Sequence, residues 1–591
     1  MNYRREIDGL RALAVLPVIF FHAGFDTFSG GFVGVDVFFV ISGYLITSII
    51  LAEMQAGTFS LVNFYEPRVR RILPALFFVM AVCIPFSWIW LLPSDMKDFS
   101  HSLIAVSTFT SNILFWKESG YFDSAAELKP LLHTWSLAVE EQFYVLFPLF
   151  LMLTWRFGQR WIIGLLIVAA VISLSIAQWK VSVAPMTTFF LLPTRGWELL
   201  LGAFVAFYLM KGGVEDSHQL IAAIASFAGF TMILCAVFFF NSKTPVPGAY
   251  ALIPTIGAAL IILYATPQTL TGKILGNQFF VSIGLISYSA YLWHQPMFAF
   301  ARHASLTEPS VPLLILLSIV ALIFAYFSWR FVEQPFRRKG SLNRGIVFAF
   351  AITTSLIFIV MGVLGHRTNG FESRYEESDR YLGGIRKSDA GQYVSARFNK
   401  LMLKDFEASD SRKKVLVIGD SYAQDLVNAV YESDLISYFQ VSTYHISARC
   451  GNLYLNEDFT SKITPTDLKR CMAAGWYENE KLNQLLRNAD VIWLASSWTL
   501  WQAELLHRSI GNIKRDFNRQ VIVFGRKSFG DIEIKKLLLH KSEEREFIEN
   551  QLSDGHIKVN NLMKSSLDRS VFIDVSDVLC KSEKSCRLFT S

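Results

Sequence analysis

Along the first 366 residues the apolar positions do not mark out one face of a soluble helix; they run almost unbroken for about 20 residues at a time, the length that crosses a bilayer. Such runs cover residues 8–25, 33–52, 73–92, 138–155, 161–179, 191–210, 218–240, 249–265, 279–300, 311–332 and 345–365, which predicts eleven membrane spans. The stretch 101–116 is broken by Ser, Thr and Asn and reads as interfacial or re-entrant. Beyond residue 366 the pattern changes. Residues 367–411 are polar and Gly-punctuated and read as a linker or extension. Short apolar runs follow in KKVLVIGDS, ADVIWLASSW (489–498), RQVIVFG (519–525) and SVFIDVSDVLC (570–580), separated by helix-like segments. That alternation predicts a doubly wound, flavodoxin-like α/β domain over 412–591.

Charge sharpens the division. The first 366 residues hold 22 Lys/Arg and 18 Asp/Glu, and the remaining 225 hold 33 and 31, a rise from about 11% to about 28% charged. The first part is built for lipid and the second for water. A single soluble domain, a disordered chain and a nucleic-acid binder are excluded, the last because the polar part is nearly charge-balanced. Basic loop residues gather on one side of the spans: Arg4, Arg5, Arg68, Arg70, Arg71, Arg156, Arg160, Lys211, Lys273, Arg337, Arg338, Lys339 and Arg344. The positive-inside rule then expects a cytoplasmic N-terminus and, with an odd number of spans, an extracytoplasmic C-terminal domain. Four of the six cysteines, Cys450, Cys471, Cys580 and Cys586, fall in that domain. The local pairs Cys450–Cys471 and Cys580–Cys586 are preferred among three possible pairings. No cysteine spacing suits a metal.

Several polar residues sit where lipid would exclude them. Arg11 and His22 lie eleven positions apart, on one face of a helix and about 16 Å apart along it. A polar path or an elongated ligand accounts for them; so does a snorkelling Arg11 with a structural His22. Arg68 and Arg71 project together at the start of the third span, suited to phosphate but equally to topology. In LLHTWSLAVEEQFYVLFP (131–148), His133, Glu140, Glu141 and Tyr144 resemble acid–base equipment or a solvated helix start. Arg195 and Glu198 form an i,i+3 pair that a structural ion pair explains. Tyr291, Trp293 and His294 in SYSAYLWHQP fit an aromatic belt.

Taken in order, IDGLRALAVLPVIFFH, GGFVGVDVFFVISGYLI, FYEPRVRRILPAL, LLHTWSLAVEEQFY, RGWELLLGA, SYSAYLWHQP and FVEQPFR resemble the acyltransferase-3 membrane family over residues 1–340. The resemblance implies a helical membrane enzyme that carries an acetyl group from acetyl-CoA to a saccharide hydroxyl. It implies coenzyme-binding roles for Arg11, Arg68 and Arg71 and a catalytic role for His22, with Glu141 or His133 as helper. Residues 341–366 add a further span. VIGDSYAQD resembles the SGNH hydrolase family in its form fused to acyltransferase-3 proteins, which implies Ser421 as nucleophile, its own amide serving as an oxyanion donor. That family places D-x-x-H after the last cysteine, whereas RLFTS follows Cys586 here, and His445, His507, His540 and His556 stand in other contexts. Either the chain is truncated, the SGNH-like domain 412–591 lacking its C-terminal end, or that domain does not run a Ser-His-Asp mechanism unaided, and little free esterase activity is expected from it.

The expected protein is a bacterial inner-membrane O-acetyltransferase with a periplasmic SGNH-like domain. It takes acetyl-CoA as donor and uses no metal. Its acceptor is a lipid-linked or polymeric envelope saccharide such as O-antigen, and it contacts membrane lipids but no nucleic acid. A glycan transporter or flippase with a non-catalytic external domain is the alternative.

Overall fold

The computed structural model describes residues 3–119, 126–212, 219–305, 308–338, 342–384, 387–529, 534–545, 547–580, 582 and 584–587. The chain forms two compact units, Met1–Glu376 and Glu377–Ser591. The first is all helical: α1 Arg5–His22, α2 Gly34–Gln55, α3 Leu61–Trp90, α4 Pro93–Ser107, α5 Ser111–Lys117, α6 Thr134–Thr154, α7 Gln159–Lys180, α8 Pro185–Phe190, α9 Leu192–Met210, α10 Gln219–Phe239, α11 Leu252–Tyr264, α12 Leu270–Leu275, α13 Gln278–Ala304, α14 Val311–Ser328, α15 Gln334–Arg337 and α16 Arg344–Arg367. Every one of the eleven apolar runs falls on a helix, and the broken stretch 101–116 spans the short helices α4 and α5.

Among the described residues, however, eight helices are long and apolar enough to cross a membrane: α2, α3, α6, α7, α9, α10, α14 and α16 with their short extensions. The other three runs lie on α1, α11 and α13. Helix α1 carries Arg5, Glu6, Asp8 and Arg11, α11 has 13 residues, and α13 carries Ser, Tyr, His and Gln. The physical reason is burial. Most residues of α1 are covered by neighbouring helices, so its polar groups meet protein rather than lipid.

Two crossings place the residues that matter. Helices α1 and α13 approach until a Cβ on Gly284 would stand 1.8 Å from the Asp8 carbonyl oxygen, so only glycine fits. Helices α2 and α9 meet as closely, with a Cβ on Gly43 falling 1.9 Å from the Leu199 carbonyl oxygen. The same crossing holds a buried charge cluster. The Arg195 guanidinium donates to Asp36 at 2.5 Å and to Glu198 at 2.8 Å, all three side chains at most 1% exposed. It also lies 5.0 Å from the Phe189 ring centre and 5.4 Å from that of Trp135 on α6. The pair expected within α9 is thus a triad that joins α9 to α2.

The second unit is an α/β fold. Strands β1 Lys413–Gly419, β2 Phe439–His445, β3 Val491–Ala495, β4 Gln520–Phe524 and, after β5 Glu549–Gln551, β6 Phe572–Ile573 form one parallel sheet in the order β2-β1-β3-β4-β6. Strand β7 Ser585–Arg587 pairs antiparallel with β5. Val415, Leu416, Val417 and Ile418 of β1 are all at most 1% exposed, as a strand covered on both faces requires. Cys450 is bonded to Cys471 and Cys580 to Cys586.

Two expectations need correction here. Strand β2 was not foreseen, because Gln440, Ser442 and Thr443 hide its apolar alternation. The strand expected over 570–580 shrinks to two residues, since the Asp574 carboxylate caps a helical turn over Val575–Leu579. The segment 367–411, read as a linker or extension, carries helices. Helices α17 Glu377–Gly384 and α18 Lys387–Lys400 belong to the second unit, where Phe398 is fully buried and Arg397 pairs with Glu432 at 2.6 Å.

Removing the cation of the α2–α9 triad strands two buried carboxylates, a loss of about 3–5 kcal/mol. Arg195→Met should therefore sharply lower the melting temperature of the full-length protein in detergent. Replacing all three residues (Asp36→Leu, Arg195→Met, Glu198→Leu) should recover most of that loss, because no charge is then left unpaired.

Candidate active site

A cavity of about 330 Å³ opens between α1, α2, α3, α6 and α13. Its walls are mostly apolar, but Arg11, Arg68, Arg71 and Glu140 all reach it. Helix α1 supplies Arg11, whose Nη1 stands 3.4 Å from Asp8. Arg68 and Arg71 come from one turn of α3, and neither has a carboxylate within ion-pair distance among the described residues. Arg68 lies over the Phe64 ring, 3.6 Å from its centre, and donates to the Phe64 carbonyl. Arg70, on the other face, is spent on Glu66 at 2.8 Å. Three guanidiniums against one carboxylate leave the cavity cationic.

On α6 the adjacent glutamates divide. Glu140 lines the cavity and accepts from the Tyr144 hydroxyl at 3.5 Å; that hydroxyl also bonds Ser42 on α2. Glu141, the helper expected from the sequence, does not reach the cavity, and its buried Oε1 has no hydrogen-bond partner among the described residues. Successive helical residues point about 100° apart, so only one of the pair can face the same wall.

His22 and His133 do come together, and with a third histidine. The ring centres of His22 and His294 are 5.1 Å apart and those of His133 and His294 are 5.5 Å apart. His22 Nδ1 donates to the Val18 carbonyl at 3.0 Å and His294 Nδ1 to that of Tyr291 at 2.6 Å, which leaves each Nε2 with a lone pair. His133 is 1% exposed and, among the described residues, neither its ring nitrogens nor His294 Nε2 find a hydrogen-bond partner. Tyr291 joins cluster to cavity: it lines the cavity, its hydroxyl donates to the His133 carbonyl at 2.8 Å, and its ring stands 5.4 Å from that of His133. His133 is thus no open outer mouth, and Trp293 and His294, at most 4% exposed, are no lipid-facing belt.

In the second unit Ser421 opens α19 (Ser421–Glu432) at the end of β1. The Asp420 carboxylate caps that helix by accepting from the Tyr422 amide at 2.9 Å, and it reaches across to the Ser497 amide at 2.8 Å, just past β3. The β1/β3 boundary is where this strand order reverses, the usual ligand crevice of such sheets. Burial pushes the Asp420 carboxyl up, against the two amides and His445. Ser421 makes no side-chain hydrogen bond to a histidine among the described residues. His556 is engaged instead with the Ser576 hydroxyl at 3.0 Å. Most of RLFTS, residues 588–591, lies outside the described residues.

Comparison with known proteins agrees with this architecture. Residues 4–330 match the family described as "Acyltransferase domain", and residues 392–590 match "SGNH domain (fused to AT3 domains)". A Staphylococcus aureus (strain MSSA476) protein named "Putative O-acetyltransferase" is 32% identical over 463 residues, 72% of this chain and 75% of its own length. O-acetyltransferase OatA of S. aureus (strain NCTC 8325 / PS 47) is 33% identical over 352 residues, 57% of this chain and 58% of that protein. The chain belongs to the acyltransferase-3 family. No solved structure matches it.

This O-acetyltransferase is a membrane protein with an SGNH domain attached. Its arginines, His22 and the glutamate pair were legible as motifs. The choice of Glu140 over Glu141, the recruitment of His294 and the bridging Tyr291 were not, although a His and a Tyr three apart on one apolar helix were a usable signal.

Burial, against Asp420, holds the His445 imidazole below its ordinary value of 6.5; burial, then Arg526, lowers His556 against Asp574. The unfolded SGNH domain then binds protons that the folded one refuses. Its stability should be full above pH 6.5 and fall as pH drops through that value. His445→Gln combined with His556→Gln should flatten the fall in melting temperature of that domain between about pH 7.5 and pH 5.5.

Proposed function

We propose that the protein moves an acetyl group from acetyl-CoA to a hydroxyl of a cell-envelope polysaccharide, O-antigen being one acceptor of that class, in a bacterial cytoplasmic membrane. The observation that carries this reading is the convergence of Arg11, Arg68 and Arg71 on one apolar cavity joined through Tyr291 to three clustered histidines. The Arg68 and Arg71 guanidiniums, with no carboxylate in ion-pair distance among the described residues, suit the phosphates of a coenzyme A, which such groups bind in forked pairs. A volume of 330 Å³ is at the small end of ligand pockets, about 300–1,000 Å³, and suits part of such a donor rather than its whole length.

In this mechanism the acceptor hydroxyl gives its proton to His22 Nε2 as its oxygen attacks the thioester carbonyl. The carbon–sulfur bond breaks, and the proton passes to the departing thiolate. His294 and His133, whose ring nitrogens lack other partners, relay or position that proton. Whether His22 acts as base or carries the acetyl group itself is decided by trapping an acetylated enzyme. An extracytoplasmic SGNH domain would present the acceptor, with Ser421 at the crevice.

The test is acetyl transfer by purified full-length protein, read as free thiol released from acetyl-CoA and as added acetyl mass on the glycan. Arg68→Ala and Arg71→Ala should each raise the KM for acetyl-CoA about tenfold or more, with Lys rescuing only part. His22→Ala should abolish transfer while the protein still inserts. Glu140→Gln should cost more than Glu141→Gln. Equal activity of wild type and His22→Ala would overturn the mechanism, and glycan movement without thiol release would point to a transporter.

A further inference from the structure

Along α13 the side chains step from the cavity to the far end of the helix. Tyr288 and Tyr291 line the cavity, His294 joins the histidine cluster, and Arg302 follows about 12 Å further along the axis, near the C-terminus. Helix α1 runs beside it in the same direction, with Asp8 against Gly284 at one end and His22 against Arg302 at the other. There Arg302 donates from Nη2 to the His22 carbonyl at 3.1 Å. Of the three clustered histidines, His133 and His294 are at most 1% exposed, whereas His22 is partly exposed. An acceptor that gives its proton to this cluster therefore meets His22, and Arg302 stands beside it.

The Arg302 side chain is 8% exposed, and its charge is matched. Its Nε stands 3.6 Å from Glu308 and 3.9 Å from Glu127, whose side chains are 81% and 65% exposed. Those separations make ion pairs but exceed hydrogen-bond length. Arg302 Nε and Nη1 are buried and donate to nothing among the described residues. The Glu127 backbone is held in place, because Gln295 of α13 donates to the Glu127 carbonyl at 3.4 Å and to the Lys129 carbonyl at 3.1 Å.

Buried donors thus face exposed acceptors, and a hydroxyl oxygen about 2.9 Å from each completes the triangle. A hydroxyl suits that place because one oxygen accepts from the guanidinium while its proton goes to a carboxylate. A phosphate or carboxylate only accepts, and it would meet two glutamates of its own charge. The chemistry selects an uncharged polyhydroxyl ligand.

We propose that Arg302, Glu127 and Glu308 form the acceptor mouth of the acetyl-transfer site, holding an uncharged saccharide with one hydroxyl against His22 and rejecting acidic glycans. The inference rests on the acetyl-transfer reading above and adds to it the acceptor class and the residues that choose it. No bond is made or broken at Arg302, which is a positioning residue; transfer stays at His22.

The test uses purified full-length protein in detergent with radiolabelled acetyl-CoA and, in turn, neutral hexose and N-acetylhexosamine pentasaccharides and pentagalacturonate. Labelled glycan and free thiol are both read. Wild type should use a neutral pentasaccharide with kcat/KM about tenfold or more above that for pentagalacturonate. Arg302→Gln should raise the KM for that neutral acceptor about tenfold, and Arg302→Lys less, with the acetyl-CoA KM at its wild-type value. Glu127→Gln combined with Glu308→Gln, both on exposed side chains, should narrow the preference to about threefold or less, a change of specificity that a structural role does not produce. Equal or better use of pentagalacturonate by wild type would overturn the proposal. So would thiol release without labelled glycan from either class, or an acceptor KM unchanged in Arg302→Gln with the preference unchanged in the double variant. No thiol release by wild type with any acceptor would instead overturn the acetyl-transfer reading on which the proposal rests.

Discussion

The arrangement of the membrane unit depends on one buried cation shared between two carboxylates. Arg195 takes Asp36 from α2 and Glu198 from its own helix, in a setting that excludes water. A charge removed from water is tolerated only where partners replace its hydration. That requirement ties α2 to α9, and the Gly43 contact lets the backbones come close enough to meet it. Trp135, on the same helix as Glu140 and close behind His133, lies near the same guanidinium, so α6 is placed by the same group. Val35, Phe38, Phe39 and Ser42 of α2 then form a cavity wall. Losing the triad would therefore disturb the cavity as well as stability.

The cavity and the histidine cluster share that scaffold but differ in character. One presents Arg68 and Arg71 without carboxylate partners among the described residues; the other holds imidazoles, of which His133 and His294 are buried with ring nitrogens that find no partner there. Unsatisfied buried polar atoms are costly and uncommon in folded proteins. Their concentration at His133, His294 and Glu141, beside a cavity, fits a site organised for a substrate that supplies the missing partners, which is the reading proposed above.

The SGNH domain follows a different logic. Its central strand β1 is buried on both faces of a five-stranded parallel sheet, and Asp420 spends its carboxylate on two amides either side of the strand-order reversal. The turn before Ser421 is thereby held rigid. The nucleophile's position is a backbone property here, and its chemical activation is a separate matter of what base stands beside it.

Much was readable before any folding. Apolar runs located the helices because lipid demands about 20 unbroken apolar residues, and the buried β1 strand announced itself as VLVI. Seven ordered motifs marked the family. The polar helices α1 and α13 show the limit of hydropathy: they are polar because other helices cover them, a fact of packing absent from local composition. The same applies to sites. Sequence spacing places Arg68 with Arg71, three apart on one helix, whereas Asp36 with Arg195 and His22 with His133 and His294 are pairings across 111 to 272 positions. Periodicity constrains which residues share a helix face; only tertiary packing decides which faces meet, because close approach depends on the volume of every side chain between them.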